Sequence, residues 1–146
     1  IQMSGGGATG PRPNFSAYAA SKAALVRLVE TLAEEYRDQG IGINAIAPGT
    51  MDTRLLDEVI EAGPVLAGES GYRDALAQKA KGGVPMRRAA DLAVFLASDA
   101  SDGITGKLIS ALWDPWERLA AFKDKLMGTD VYTLRRIVPE DRGLQW

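Results

Sequence analysis

Tyr18 and Lys22 are the residues of this chain whose types and spacing point most directly to chemistry. Four apart on a helix, they lie on one face about one turn from each other. A free phenol titrates near pH 10 and exchanges protons poorly at neutral pH. An ammonium within ~4–6 Å favours the phenolate and brings such a group ~1–3 units closer to neutrality. Ser4, across a glycine-rich loop, is placed to offer a hydroxyl to a substrate oxygen opposite the pair. Such a trio can protonate or deprotonate a carbonyl or alcohol oxygen, an effect worth ~10²–10⁴-fold. Composition leaves few rivals. The 146 residues include no histidine and no cysteine. That excludes Ser-His-Asp catalysis, imidazole or thiolate metal sites, disulfides and thiol nucleophiles. Spacing alone leaves one bland alternative open, in which Tyr18 packs and Lys22 snorkels to solvent.

The helix that carries the pair is expected from Ser16 to Gln39. Leu25, Val29, Leu32 and Tyr36 continue the stripe in steps of four and three, with Leu28 and Ala33 alongside. Asn14 or Ser16 supplies the N-cap oxygen, Gly40 the stop, and Glu30, Glu34, Glu35, Arg37 and Asp38 the wetter face. Ile1-Gln2-Met3 reads as the end of a strand, and Gly42 to Ala47, closed by Pro48-Gly49, as a buried strand ending in a turn. Lys107 to Ala111 reads as another strand. Between them, short helical pieces (Thr53 to Ala62, Tyr72 to Ala80) are punctuated by glycines over residues 52–88, the pattern of a substrate loop or of a surface connection. Ala89 to Ser98 and Trp116 to Met127 complete the helices. Helix alternating with short apolar strand predicts an α/β fold with a doubly wound parallel sheet.

The chain is 46% hydrophobic and 25% charged, ordinary values for a soluble domain. Seventeen basic and nineteen acidic residues give a net charge of −2 without any block of one sign, so no nucleic-acid or anionic-membrane partner is expected. No stretch approaches the ~20 apolar residues of a membrane span, and a cytoplasmic location is the expectation. Gly5-Gly6-Gly7-Ala8-Thr9-Gly10 matches a dinucleotide fingerprint literally, but Pro11-Arg12-Pro13 follows where a helix N-terminus should face the phosphates. These glycines instead let the backbone pass close to a neighbour. Asp52, Asp57, Glu58 and Glu61 read as a solvated face, as do Arg87-Arg88 and Arg135-Arg136, so no metal site is expected.

Tyr18-Ala19-Ala20-Ser21-Lys22, the serine loop before it and Asn44-Ala45-Ile46-Ala47-Pro48-Gly49 after it resemble the short-chain dehydrogenase/reductase family in type and order. So do Phe95-Leu96-Ala97-Ser98-Asp99 and Ile104-Thr105-Gly106-Lys107. The resemblance covers residues 1 to about 112 and implies a Rossmann-type sheet. It also implies NAD or NADP as cofactor, with hydride transfer between the nicotinamide and a small-molecule carbonyl or alcohol. In that family the tyrosine is the general acid/base, the lysine assists it and holds the nicotinamide ribose, and the serine orients the substrate. These roles would fall on Tyr18, Lys22 and Ser4. Pro48, Gly49 and Thr53 would line the nicotinamide end, and a homo-oligomer is implied.

Three departures stand out. The family serine sits thirteen residues before the tyrosine, where this chain has Gly5, with Ser4 at fourteen. Beyond the Thr-Gly strand, residues 113–146 form an extension with Trp113 and Trp116, read as substrate-facing, subunit-contacting or simply packed. The pyrophosphate loop and ribose-selecting strand of the family's first half do not precede Ile1, so the sequence resembles the C-terminal half of such an enzyme. Two other readings stay open: a Rossmann fragment serving as an interaction module, and a nucleotide-sugar epimerase or dehydratase.

Overall fold

The computed structural model describes residues 1–145. Its strands β1 (Gln2–Met3), β2 (Ala45–Ala47) and β3 (Leu108–Ser110) form one parallel sheet in the order β1-β2-β3. The helices are α1 (Ser16–Glu35), α2 (Arg54–Ala67), α3 (Glu69–Ala80), α4 (Met86–Leu96) and α5 (Leu119–Leu126). The expected α/β class with an all-parallel sheet is therefore present.

Register decides which side chains meet which helix. Gln2, Ala45 and Leu108 lie across one face, and Met3, Ile46 and Ile109 across the other. On the first face α1 buries Val26 and Val29 completely, packed with Ala45. On the second, α4 sets Leu92 and Leu96 against Ile46 and Ile109, with Trp116, Leu119 and Leu126 extending that core. Each aliphatic side chain buried this way stabilises by ~1.5–3 kcal/mol. The strands advance in one direction across the sheet while α1 and α4 take opposite faces. The two crossovers therefore have opposite hands, although right-handed connections are the rule. The chain leaving β1 and the chain leaving β2 part to opposite faces. That parting opens a crevice at the carboxyl ends of the strands, where open α/β sheets bind ligands.

The expected helix boundaries and faces need correction at several points. Phe15, not Asn14 or Ser16, stands at the N-cap of α1, and no side-chain oxygen caps it. Asn14 instead takes a left-handed turn (φ 67°) and donates from Nδ2 to the Leu66 carbonyl at 3.3 Å. At its other end α1 tightens into a 3₁₀ turn over Arg37–Gln39, which Gly40 stops at φ 68°. Glu30 is not on a wet face. Its side chain is 10% exposed, lies 2.6 Å from Arg27 and accepts the Leu134 backbone N–H at 2.5 Å. The rest concern the connections. Helix α2 runs on to Ala67 but breaks its helical dihedrals at Gly63 (φ 70°) before Pro64, α3 begins at Glu69, and α4 begins at Met86.

Two buried polar side chains tie the far end of the sheet together. Asn44, 2% exposed, donates to the Ile104 carbonyl at 2.7 Å and accepts the Lys107 backbone N–H at 3.1 Å. Thr105 Oγ1 accepts the Ile43 N–H at 3.0 Å. The Asn-Ala and Thr-Gly segments thus interlock, so each needs the other's residue types. Lys107, 3% exposed, spends its ammonium on the carbonyls of Thr129 (2.8 Å) and Val131 (3.0 Å). Together with Leu108 N–H bonded to the Tyr132 carbonyl at 2.8 Å, it straps the tail along the outer edge of β3.

Asn44→Ala leaves a buried carbonyl and a buried N–H without partners. It should cost roughly 1–3 kcal/mol of stability, read from the midpoint of urea unfolding. Burial lowers Lys107 below the usual lysine range, against the opposing pull of Asp130 and Glu30. The unfolded chain therefore keeps this proton to higher pH than the folded one. The contribution is fully expressed above the unfolded value of ~10.4 and is lost as pH falls through the lowered folded value, so stability should rise with pH across that window. In Lys107→Met this rise should disappear, and amide exchange over residues 129–134 should quicken.

Candidate active site

The crevice between the parting loops has a volume of about 1610 Å³. This exceeds the roughly 300–1,000 Å³ of a site for one small ligand. Ser4, Tyr18, Lys22, Pro48, Gly49 and Thr53 all line it. Residues separated by up to 49 positions of sequence are thereby gathered at the carboxyl ends of the strands.

Tyr18 and Lys22 are both half-buried on the first turns of α1, in the same stripe as Leu25 and Val29. The Lys22 ammonium lies 5.7 Å from the centre of the Tyr18 ring and donates to the Met3 carbonyl at 3.1 Å. The side chain is thus held at the end of β1 instead of trailing into solvent. Ser4, which also lines the cleft, is close by. At 3% exposure it donates to the Lys22 carbonyl at 3.2 Å, which fixes α1 against the strand. The residue that faces the phenol is Gly5. A Cβ built on Gly5 would lie 2.6 Å from the Tyr18 hydroxyl, so the phenol fills the space where a side chain at this position would stand. Gly5 has no positive φ, so its need for glycine is steric and not conformational.

The glycine-rich loop behaves as a close-packing element. Gly7 adopts φ 95°, and a Cβ there would meet the Ala19 methyl at 3.0 Å, so only glycine lets the loop lie on α1. Arg12 and Phe15, which no motif marks, complete this wall. The Arg12 guanidinium lies 4.0 Å from the Phe15 ring centre and 5.3 Å from that of Tyr18. The one sequence signal for it is its position between two prolines.

The remaining candidates sort differently. Asp52 and Asp57 are not simply a solvated face, because Lys79 bridges them at 2.6 and 2.8 Å and so clamps α2 to α3. Those bonds push Lys79 up to about 12. Among the described residues no acidic cluster is arranged to hold a metal ion. Arg88 donates to the Ala111 carbonyl at 2.8 Å and pairs with Glu117, while Arg135 pairs with Asp130 and Asp141. Trp116 is buried, donating from Nε1 to the Ala111 carbonyl at 3.2 Å. Trp113 is 81% exposed at the rim of the cleft, in a turn fixed by Ser110 and Asp114. No helix among the described residues is long and apolar enough to cross a membrane.

Known proteins place this geometry. Residues 1–111 match the family model described as enoyl-(acyl carrier protein) reductase. Dehydrogenase/reductase SDR family member 6 of Xenopus laevis is 42% identical over 94 residues, covering 64% of this chain and 38% of its own length. Oxidoreductase UcpA of Escherichia coli K12 is 42% identical over 100 residues, covering 64% of this chain and 36% of its own. The chain thus spans little more than a third of the length of these relatives. In structure it is similar to the TT0495 protein of Thermus thermophilus, with a TM-score of 0.56 and 26% identity over 74% of this chain and 44% of that one. A short-chain type dehydrogenase/reductase from Mycobacterium ulcerans shares the fold at a TM-score of 0.55 and 23% identity, over 98% of this chain and 48% of that one. The chain belongs to the short-chain dehydrogenase/reductase family, of which it carries the C-terminal region.

Proposed function

We propose that this sequence forms the proton-transfer half of an NAD- or NADP-dependent oxidoreductase acting on a small carbonyl or alcohol. The observation that carries this reading is the position of the Tyr18 hydroxyl. It stands against Gly5 at the carboxyl end of β1, in the crevice that also receives Lys22 and the Pro48-Gly49 turn. When bound, the nicotinamide cofactor would supply the hydride. Lys22, Pro48, Gly49 and Thr53 are the residues of this chain that would hold its nicotinamide end. The size of the cleft and its place at the strand ends fit such a group.

Within that site Tyr18 delivers a proton to the substrate oxygen as the carbonyl carbon is reduced, and takes it back in the reverse direction. Lys22 places a positive charge on the same face of the helix. Its bond to Met3 O keeps that charge beside the ring. Ser4 acts at one remove, by holding the backbone of Lys22. Without a side chain at Gly5, the phenol itself is the nearest side-chain donor to a substrate oxygen at the end of β1.

In the polypeptide as encoded, Tyr18→Phe should lower turnover of the reactive carbonyl by about 10²–10⁴-fold, followed by loss of nicotinamide absorbance. Turnover equal to that of the unaltered protein would end the assignment. Gly5→Val should move the phenol off the strand end. It should reduce kcat by at least about 10-fold, since a misplacement of ~1 Å is worth up to ~10²-fold. The midpoint of thermal unfolding should barely change.

A further inference from the structure

We infer that Arg12 recognises a carboxylate on the substrate, so that this cleft handles short oxo and hydroxy acids; the inference rests on reading the cleft as the site of hydride transfer. Arg12 is presented rigidly. Pro11 and Pro13 restrict the backbone on either side of it. Asn14 is tied to the Leu66 carbonyl at 3.3 Å, and the Phe15 ring is seated so close to Gly71 that a Cβ there would meet it at 3.2 Å. The segment is thus pinned to the α2–α3 hairpin that roofs the cleft.

The guanidinium lies over Phe15 at 4.0 Å, a stacking that occupies its flat face. Its five N–H donors remain at the edge. Among the described residues no carboxylate pairs with them, and the exposed side chain lines the cleft. A stacked, unpartnered guanidinium in a cleft wall matches the planar, two-pronged geometry of a carboxylate. Its carbon lies 5.3 Å from the centre of the Tyr18 ring, so only a few bonds separate an anion held there from an oxygen at the phenol. That reach sets the substrate class. A chain of a few carbons carries the carbonyl at one position and the acid group near it.

An anion at Arg12 has a second conceivable source, a phosphate of the cofactor, and the test separates the two. Oxo acids of four to six carbons are each compared with their methyl esters in the polypeptide as encoded, in Arg12→Gln and in Arg12→Lys. KM is read for the acid, the ester and the cofactor, and binding of the corresponding hydroxy acids is followed by calorimetry. We expect KM for the acid to rise about 10- to 100-fold in Arg12→Gln, as for loss of one charge-assisted pair, with a smaller change in kcat. Arg12→Lys should restore part of the loss, and KM for the ester should move less than threefold. Calorimetry should show the same loss of hydroxy-acid affinity, and that affinity should survive in Tyr18→Phe, whose turnover fails. Equal KM for acid and ester, or a rise confined to the cofactor, would overturn the inference while leaving Tyr18-dependent turnover intact. Arg12-dependent binding without Tyr18-dependent turnover would instead overturn the redox reading on which it stands.

Discussion

Two hydrogen bonds between the end of β1 and the first turns of α1 govern where the phenol goes. Lys22 Nζ donates to Met3 O, and Ser4 Oγ donates to Lys22 O. One runs from helix side chain to strand backbone, the other from strand-end side chain to helix backbone. Together they fix both the rotation of α1 and its distance from the sheet. A bond from a charged donor is worth ~1.5–3 kcal/mol, enough to hold the lysine in one place against its rotamer entropy. With the helix so placed, Tyr18 reaches the strand end only because Gly5 leaves room for it. The same lysine therefore anchors the helix and stands beside the phenol, and the serine anchors the helix from the strand end.

The crevice itself follows from topology. Had both crossovers covered one face, the chain leaving β1 and the chain leaving β2 would run side by side and close the space between them. Because α1 buries Val26 and Val29 on one face and α4 buries Leu92 and Leu96 on the other, the two connections diverge. The interlock of Asn44 with Ile104 and Lys107 keeps β2 and β3 in register beneath the opening. The tail closes the outer edge of β3 and sends Leu134 across to the α1 face, where Arg27 bonds its carbonyl and Glu30 its N–H. Residues 113–145 are thus fastened to the sheet and helix at several points, with Trp113 left at the cleft rim.

Much of this was legible in the residues. The 3.6-residue stripe of α1 and the short apolar runs around β2 and β3 are local patterns, and the helix and strands appear within them. The i, i+4 spacing places Tyr18 and Lys22 on one face because helical geometry leaves no alternative. What depended on tertiary contact was not legible. Glu30 looks solvent-facing until a tail more than 100 positions away covers it, and Asp52 and Asp57 look idle until Lys79 arrives from the next helix. Ser4 and Gly5 are neighbours in the loop that leaves β1, where no periodicity says which way each one faces. Their assignment therefore needed the folded structure, in which the hydroxyl turns to Lys22 and the bare position faces the phenol. The role of Arg12 needed the positions of two rings that only the folded loop brings under it.

The central claim is that a proton from Tyr18 and a hydride meet on one substrate carbon–oxygen bond at the end of β1. It is tested most directly by a single turnover with nicotinamide deuterated at the transferring position, run in H₂O and in D₂O. Deuterium on the carbinol carbon of the product and a slower step in D₂O are expected if the phenolic proton and the hydride are delivered in one step. Product without label at that carbon, or a labelled product formed at the same rate in both solvents, would contradict it.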